Sequence, residues 1–355
     1  MNYNKYPNDP ILEEDIEYIV SKNDFSLLHN SSVFITGATG LIGSQIIKTL
    51  LFMNNKNNSN IKIYAHIRNY QKAASIFFDS VQNINFIIGD ITEKIILKHD
   101  INYMIHGANI TTSKAFIEKP IETIDTALYG TRNMLELAKE KKVNGFVYLS
   151  SMEVFGVTDN NLKEIRESDY GYIDILNIRS SYSESKRMCE CMCSCFAIEY
   201  NMPIKIARLA QTFGAGIDYN DSRVTAQFAR CVIEKKDITL KTDGKSLRPS
   251  LYTRDAVSGI FTVLLKGKNS EAYTLANRAT AISIREIAFM IAEKIAHNKI
   301  KVMFNIDNKN QEYAPNYKMI LNTDKIEYLG WKPEVGLEDA YRRTINSMKA
   351  RKYGC

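Results

Sequence analysis

The stretch SVFITGATGLIGSQIIKTLL, residues 32–51, passes from a β-branched, aromatic opening through three glycines into an apolar tail. The opening has the composition of a strand and the tail that of a helix. Gly37, Gly40 and Gly43 stand between them at Gly-x-x-Gly-x-x-Gly spacing. Glycines there let the backbone turn tightly and come close to an anion, and the helix N-terminus presents unpaired N–H groups to it. The context predicts a dinucleotide pyrophosphate site at Gly37, Thr39, Gly40, Leu41, Ile42 and Gly43, with a purely structural turn as the competing reading.

Working outward, an Asn-rich loop at 54–60 leads to a second strand, IKIYAHI. Further strands follow at 85–90, 103–109, 145–151 and 203–209, with helices at 121–141 and 181–200. This alternation predicts an α/β fold, a Rossmann-type doubly wound parallel sheet. Beyond Gly214 the rhythm becomes mixed, with helices expected at 223–234, 254–265, 284–296 and 337–349. The expected organisation is an N-terminal extension (1–30) with one short helix, a dinucleotide-binding domain (31–210) and a smaller mixed α/β region (211–355). With no flexible linker between them, the last two should pack together around a cleft.

The second strand ends in HIRN, with Arg68 and no acid. An Asp or Glu there binds the ribose 2′-hydroxyl of NAD, whereas an Arg accommodates the 2′-phosphate of NADP. Arg68 therefore favours NADP over NAD, unless it is only a surface charge. Asp90 is the candidate for the adenine amino group. Ile91, Gly107 and Ala108, at the ends of the third and fourth strands, complete the expected cofactor contacts.

SSYSESKRMCECMCSC, residues 180–195, holds two possible chemistries. Tyr182 and Lys186 stand at i and i+4 and so share a helix face, where an ammonium favours the phenolate. Such a tyrosine can exchange a proton with a sugar or alcohol hydroxyl while hydride moves to or from nicotinamide. Upstream, LSSMEVFG ends a strand with Ser151, placed to hydrogen-bond the same oxygen. Cys189, Cys191, Cys193 and Cys195 advance about 200° per step of two along a helix, so they do not converge on a tetrahedral metal centre. No metal site is expected, and the cysteines read as packing residues or as a surface that meets a partner subunit.

Bulk properties agree. A chain of 355 residues, 45% hydrophobic and 24% charged, is ordinary globular protein rather than disordered or membrane-embedded. The net charge of +6 is dispersed, which argues against nucleic acid as partner and suits a small polyanion such as a nucleotide. The polar, acidic start and the lack of a membrane-length apolar run predict a cytoplasmic protein without a membrane partner. Six cysteines, four of them crowded together, read as reduced thiols rather than a secreted disulfide framework.

The glycine triplet, then Ser151 in SSMEVFG, then Tyr-x-x-x-Lys, in this order, resembles the extended short-chain dehydrogenase/reductase family, in its nucleotide-sugar epimerase/dehydratase branch. The resemblance runs from about Ser32 to Trp331. It implies a Ser151–Tyr182–Lys186 catalytic group and a C-terminal domain for a nucleotide sugar. RLAQTFGAG (208–216) resembles the family's substrate segment, with Gln211 in place of the usual Asn. LRPSLYTRDAV (247–257) implies that Arg248 holds the substrate diphosphate, and LGWKP matches a late family motif. A second phosphate-binding Arg is missing from YAPNYKMILNTDK, where Lys318 is a weak substitute. Where the dehydratases carry Thr-Asp-Glu this chain has Ser151, Met152 and Glu153, and a thioether cannot protonate a departing hydroxyl. Simple 4,6-dehydration is therefore disfavoured, while Glu153 remains a candidate base or sugar-orienting group.

The resemblance implies C4 oxidation to a 4-keto sugar followed by epimerisation or decarboxylation. An internal redox cycle of that kind favours NAD, against the sign of Arg68. An NADPH-dependent 4-ketoreductase is the enzymatic alternative, and a non-catalytic dinucleotide sensor the alternative of another class. The family commonly dimerises through two helices, here those near 121–141 and 181–200.

Overall fold

A computed structural model describes residues 9–159, 161–306 and 318–353. The first half of the chain runs α1 (Pro10–Lys22), β1 (Ser32–Thr36), α2 (Leu41–Asn57), β2 (Lys62–Ile67), α3 (Tyr70–Phe77), β3 (Ile84–Ile88), β4 (Tyr103–His106), α4 (Ser113–Glu118), α5 (Pro120–Lys141), β5 (Gly145–Ser151), α6 (Ser180–Glu199) and β6 (Ile204–Leu209). The second continues with β7 (Gln211–Phe213), α7 (Val224–Glu234), β8 (Ile238–Leu240), β9 (Leu247–Arg248), β10 (Ser250–Tyr252), α8 (Thr253–Lys266) and β11 (Ala272–Leu275). It ends with β12 (Ile282–Ser283), α9 (Ile284–Met290), β13 (Val302–Phe304), α10 (Asp324–Glu327) and α11 (Leu337–Tyr353).

Seven strands form one parallel sheet in the order β11-β6-β5-β4-β1-β2-β3. Strand order reverses between β1 and β4, and in such sheets ligands bind outside the carboxyl ends of the strands at that switch point. The strands are apolar on both faces because helices cover both, and β1 is buried at all five residues. Val33 and Ile35 face a core shared with α2 and α8, while Phe34 joins Met104, Phe146 and Tyr148 in the core under α5 and α6.

β11 returns from the second region to the sheet edge beside β6, and α8 packs on β5 and β6. The two regions are thus interleaved. The helix expected at 284–296 is interrupted, because α9 gives way to a π-helical turn over Ile291–Ile295. α1 is longer than the short helix read from the sequence. Pro10 occupies its first turn and Asp9 caps it by accepting from the Leu12 amide at 3.1 Å. Its buried stripe of Leu12, Ile16 and Ile19 lies at helical spacing and meets α2, α8 and α11.

Candidate active site

The glycine turn is built as a cradle. Gly37 has φ +69°, and a Cβ there would come within 2.8 Å of the Gly107 backbone. A Cβ on Gly43 would stand 2.3 Å from the Gly37 carbonyl oxygen, so side chains are excluded at both places. The Gly40 amide donates to the Gly37 carbonyl at 2.9 Å, and no side chain caps the N-terminus of α2. First-turn N–H groups therefore remain to meet a phosphate, and the residues fit a dinucleotide. Thr39, Leu41 and Ile42 flank this turn. Thr36 Oγ1 accepts from the amides of Gly107 and Ala108, both at 3.1 Å, which ties the end of β4 to the same edge.

Further along that edge, Arg68 is exposed just after β2 and precedes Asn69, the cap of α3. Asp90 is exposed after β3, and its carboxylate accepts from the Thr92 amide and hydroxyl, which hold it below the usual carboxylate range. Ile91 sits differently. Its side chain is buried under Gly130 of α5, and its carbonyl accepts from Asn133 Nδ2.

Ser151 ends β5 and caps a single 3-10 turn, its Oγ accepting from the Glu153 amide at 3.2 Å. Tyr182 lies in the first turn of α6 and Lys186 one turn on, so the sheet end and the helix bring Ser151, Tyr182 and Lys186 together. The Ser151 hydroxyl favours the charged form of the Tyr182 phenol. Lys186 Nζ donates to the Leu149 carbonyl at 2.7 Å and lies 5.8 Å from the centre of the Tyr182 ring.

The electrostatics depart from the expected lowering of the phenol. Tyr182 is held well above the ordinary tyrosine range by burial first and by the Glu153 carboxylate second, with Ser151 and Arg223 opposing. Burial also pushes Lys186 down to about 8, against the raising influence of Cys189, Glu190 and Cys193. Dehydration raises the cost of charge on both groups, and the Lys186 ammonium is spent on a backbone carbonyl.

Several neighbours escaped the sequence reading. Phe116 stacks on Tyr182 with centroids 4.4 Å apart and planes 11° apart, covering the phenol. Arg179, the residue before α6, donates to Glu153 Oε2 at 3.3 Å and so fixes that carboxylate beside the site. Arg223, the cap of α7, pairs with Asp221 at 2.7 Å and reaches Tyr182 electrostatically from the second region. Below them, Glu190 accepts from Ser150 Oγ at 2.5 Å and from Arg208 Nη2 at 2.7 Å, the pair being almost wholly buried. Glu190 extends the 182–186 spacing by one more turn, a signal present in the sequence. Of the other three, Phe116 comes from α4, Arg179 from the loop before α6 and Arg223 from the second region, and no local pattern marks them.

Met152 is buried in the core beneath β5. Gln211 is half-buried on β7, paired with Ser250. Arg248 lies on β9 opposite Ile282, and Lys318 bridges its neighbour Leu247 through the backbone. The rest of the segment in which a second phosphate-binding Arg was sought falls partly at 307–317, outside the described residues. Among the cysteines of α6, Cys189 and Cys193 are buried while Cys191 and Cys195 are exposed. Among the described residues no cluster of three or more His, Cys, Asp or Glu is arranged to hold a metal ion, and no helix is long and apolar enough to cross a membrane.

A model of the NAD dependent epimerase/dehydratase family matches residues 33–276. The chain belongs to that family and is an enzyme. UDP-glucuronic acid decarboxylase 4 of Arabidopsis thaliana is 27% identical over 323 residues, covering 91% of this chain and 69% of the relative. Among solved structures, UDP-glucose 4-epimerase of Thermotoga maritima aligns with a TM-score of 0.76 at 19% identity, over 90% of this chain and 98% of its own. UDP-glucuronic acid 4-epimerase from Bacillus cereus, in complex with UDP-glucuronic acid and NAD, aligns with a TM-score of 0.73 at 21% identity, over 90% and 99%. At those identities the two structures speak for the fold.

Proposed function

We propose that the chain decarboxylates a UDP-linked uronic acid through transient oxidation at C4. The observation that carries this reading is the cluster at the end of β5, where Ser151 stands by Tyr182 and favours its charged form, Arg179 holds Glu153, and position 152 offers a buried thioether. The group can handle a proton on a sugar oxygen, yet the position that would protonate a leaving hydroxyl carries Met152. The likeness to UDP-glucuronic acid decarboxylases over most of the chain supports the same choice.

Bound dinucleotide supplies a reversible hydride acceptor at C4. Burial keeps the phenol protonated at rest, so Tyr182 first passes its proton to solvent. The phenolate then takes the C4-hydroxyl proton while Ser151 hydrogen-bonds that oxygen and the Lys186 ammonium, 5.8 Å from the ring centre, offsets the phenolate charge. In the resulting 4-keto acid the carboxylate is β to the ketone, so the C5–C6 bond breaks with release of carbon dioxide. Its electron pair moves toward the C4 oxygen, where Tyr182 and Ser151 stabilise the charge. One proton then enters at C5 and reduction of C4 closes the cycle. Glu153, held by Arg179, orients the sugar or supplies that proton. Arg248 is assigned to the diphosphate.

Arg68 favours a second reading, a 4-ketoreductase that consumes NADPH, because the ribose end carries a cation and no acid. UDP-glucuronic acid separates the readings. Release of carbon dioxide with no net change in nicotinamide absorbance is expected. Inversion at C4 without gas release identifies an epimerase, and stoichiometric loss of NADPH with a 4-keto sugar identifies the reductase. Mass spectrometry of the dinucleotide released on denaturation distinguishes NAD from NADP directly.

The outer faces of α5 and α6 expose Tyr129, Met188, Cys191, Cys195 and Ile198, and we assign them to a homodimer contact. Unpaired thiols at all five described cysteines suit the reducing cytoplasm.

A further inference from the structure

The turn at 214–217 links two parts of the candidate site. It follows Gln211 and leads to Arg223, and it leaves the carboxyl-end side of the sheet where ligands bind. Its backbone is held almost atom by atom. The Ala215 amide donates to Tyr252 Oη at 3.4 Å and the Ala215 carbonyl accepts from Gln45 Nε2 at 2.7 Å. The Gly216 amide donates to Ser347 Oγ at 3.0 Å, and the carbonyls of Gly216 and Ile217 accept from Arg351. Gly216 has φ +82°, a conformation that needs this support because glycine has no side chain to restrict it.

The holders are themselves anchored on α1. Tyr252 Oη donates to Asp15 Oδ2 at 2.7 Å, and Arg343 of α11 donates to Asp15 Oδ1 at 2.6 Å. Ser347 Oγ donates to Asp9 Oδ2 at 2.6 Å, and the same oxygen lies 3.3 Å from Arg351 Nε. Asp9 and Asp15 are both about fully buried, at 1% and 0% exposure. Two buried carboxylates at the N-terminus and three α11 side chains therefore converge on one turn. All of them lie outside the span 33–276 that matches the family.

We propose that α1 and α11 form a clamp that presets the 214–217 turn for the nucleotide sugar, with Ser347 and Tyr252 as its positioning residues. This rests on the reading of 208–216 as the substrate segment. Each hydroxyl relays a buried carboxylate to a turn amide, so removing it frees that amide and lets Gln211 and Arg223 drift. Neither hydroxyl hydrogen-bonds the Gly37–Gly43 backbone, so dinucleotide affinity separates a clamp on the substrate turn from a general loosening of the site.

Ser347→Ala and Tyr252→Phe test it. With UDP-glucuronic acid, KM should rise about tenfold in each variant, as for loss of one buried hydrogen bond, while kcat stays within about twofold. Dinucleotide affinity should not change. Hydrogen exchange at the Gly216 amide should accelerate in Ser347→Ala, and at the Ala215 amide in Tyr252→Phe. A lowered melting temperature with KM unchanged would make the contacts merely structural and overturn the clamp. So would unaltered protection of both amides. If the wild-type protein neither binds nor converts UDP-glucuronic acid while the amides behave as expected, the substrate assignment fails and the preset turn stands.

Discussion

The two faces of α6 carry different chemistries. Its inner face buries a phenol, an ammonium and a carboxylate at Tyr182, Lys186 and Glu190, whereas its outer face exposes Met188 at 53% and Ile198 at 74%, with Cys191 and Cys195 between them. The inner face also buries Cys189, Cys193, Phe196 and Ala197 in the core, so the polar groups are set into an apolar face. Buried polar groups cost free energy unless they are paired, and exposed apolar stripes attract partners. The buried polar groups and the exposed apolar stripe therefore point to two separate duties, reaction inside and association outside.

The sharpest way to break the comparison is Tyr182→Phe, which removes only the reacting hydroxyl. Turnover should fall about 10²–10⁴-fold, the range for loss of a general acid or base, with dinucleotide binding intact. A non-catalytic sensor would be indifferent to the change. Next is Arg208→Ala, which strands Glu190 in the interior. A loss of about 3–5 kcal/mol is expected from chemical denaturation, and replacing both partners with apolar residues should recover much of it. Equal losses in the single and double variants would deny that the pair is coupled. On the outer face, Met188→Lys with Ile198→Glu should convert a dimeric mass to a monomeric one in light scattering. An unchanged mass would remove α6 from the contact.

Legibility followed the range of the signal. The switch from strand to helix through Gly37, Gly40 and Gly43 is local, and so is the i, i+4 spacing of Tyr182 and Lys186, so the sheet and the sharing of one helix face by Tyr182 and Lys186 were legible in the sequence. Glu190 was available to the same reasoning. Arg208 was not, because a lone cation in the apolar run IKIARL reveals neither its burial nor a partner on a neighbouring helix. Phe116 and Arg223 reach Tyr182, and Arg179 reaches Glu153, only once separate elements fold together. The electrostatic misreading has the same origin. Spacing alone placed an ammonium near a phenol, but burial and the Leu149 carbonyl, both tertiary facts, decide what that ammonium does.

The smallest effect expected on the inner face is a pH dependence. Lys186 titrates near 8 in the folded protein, below its ordinary value of 10.5, because burial penalises the ammonium. Cys189, Glu190 and Cys193 face it and act in the opposite direction. His106, pushed down to about 3, stays neutral throughout, and Tyr182 is held too high to titrate nearby. Raising the pH through 8 therefore removes the Lys186 charge from the folded site, and kcat/KM should fall on an alkaline limb with an apparent pKa near 8. The unfolded chain keeps that proton up to about 10.5, so between these values it binds more protons than the folded chain, and this group's contribution to stability rises with pH. Activity and the Lys186 share of stability should thus move in opposite directions across one window. In Glu190→Gln the limb should shift to lower pH, since a supporting negative charge is gone. An activity that climbs steadily past pH 9.5 would show that the ammonium of Lys186 is not required.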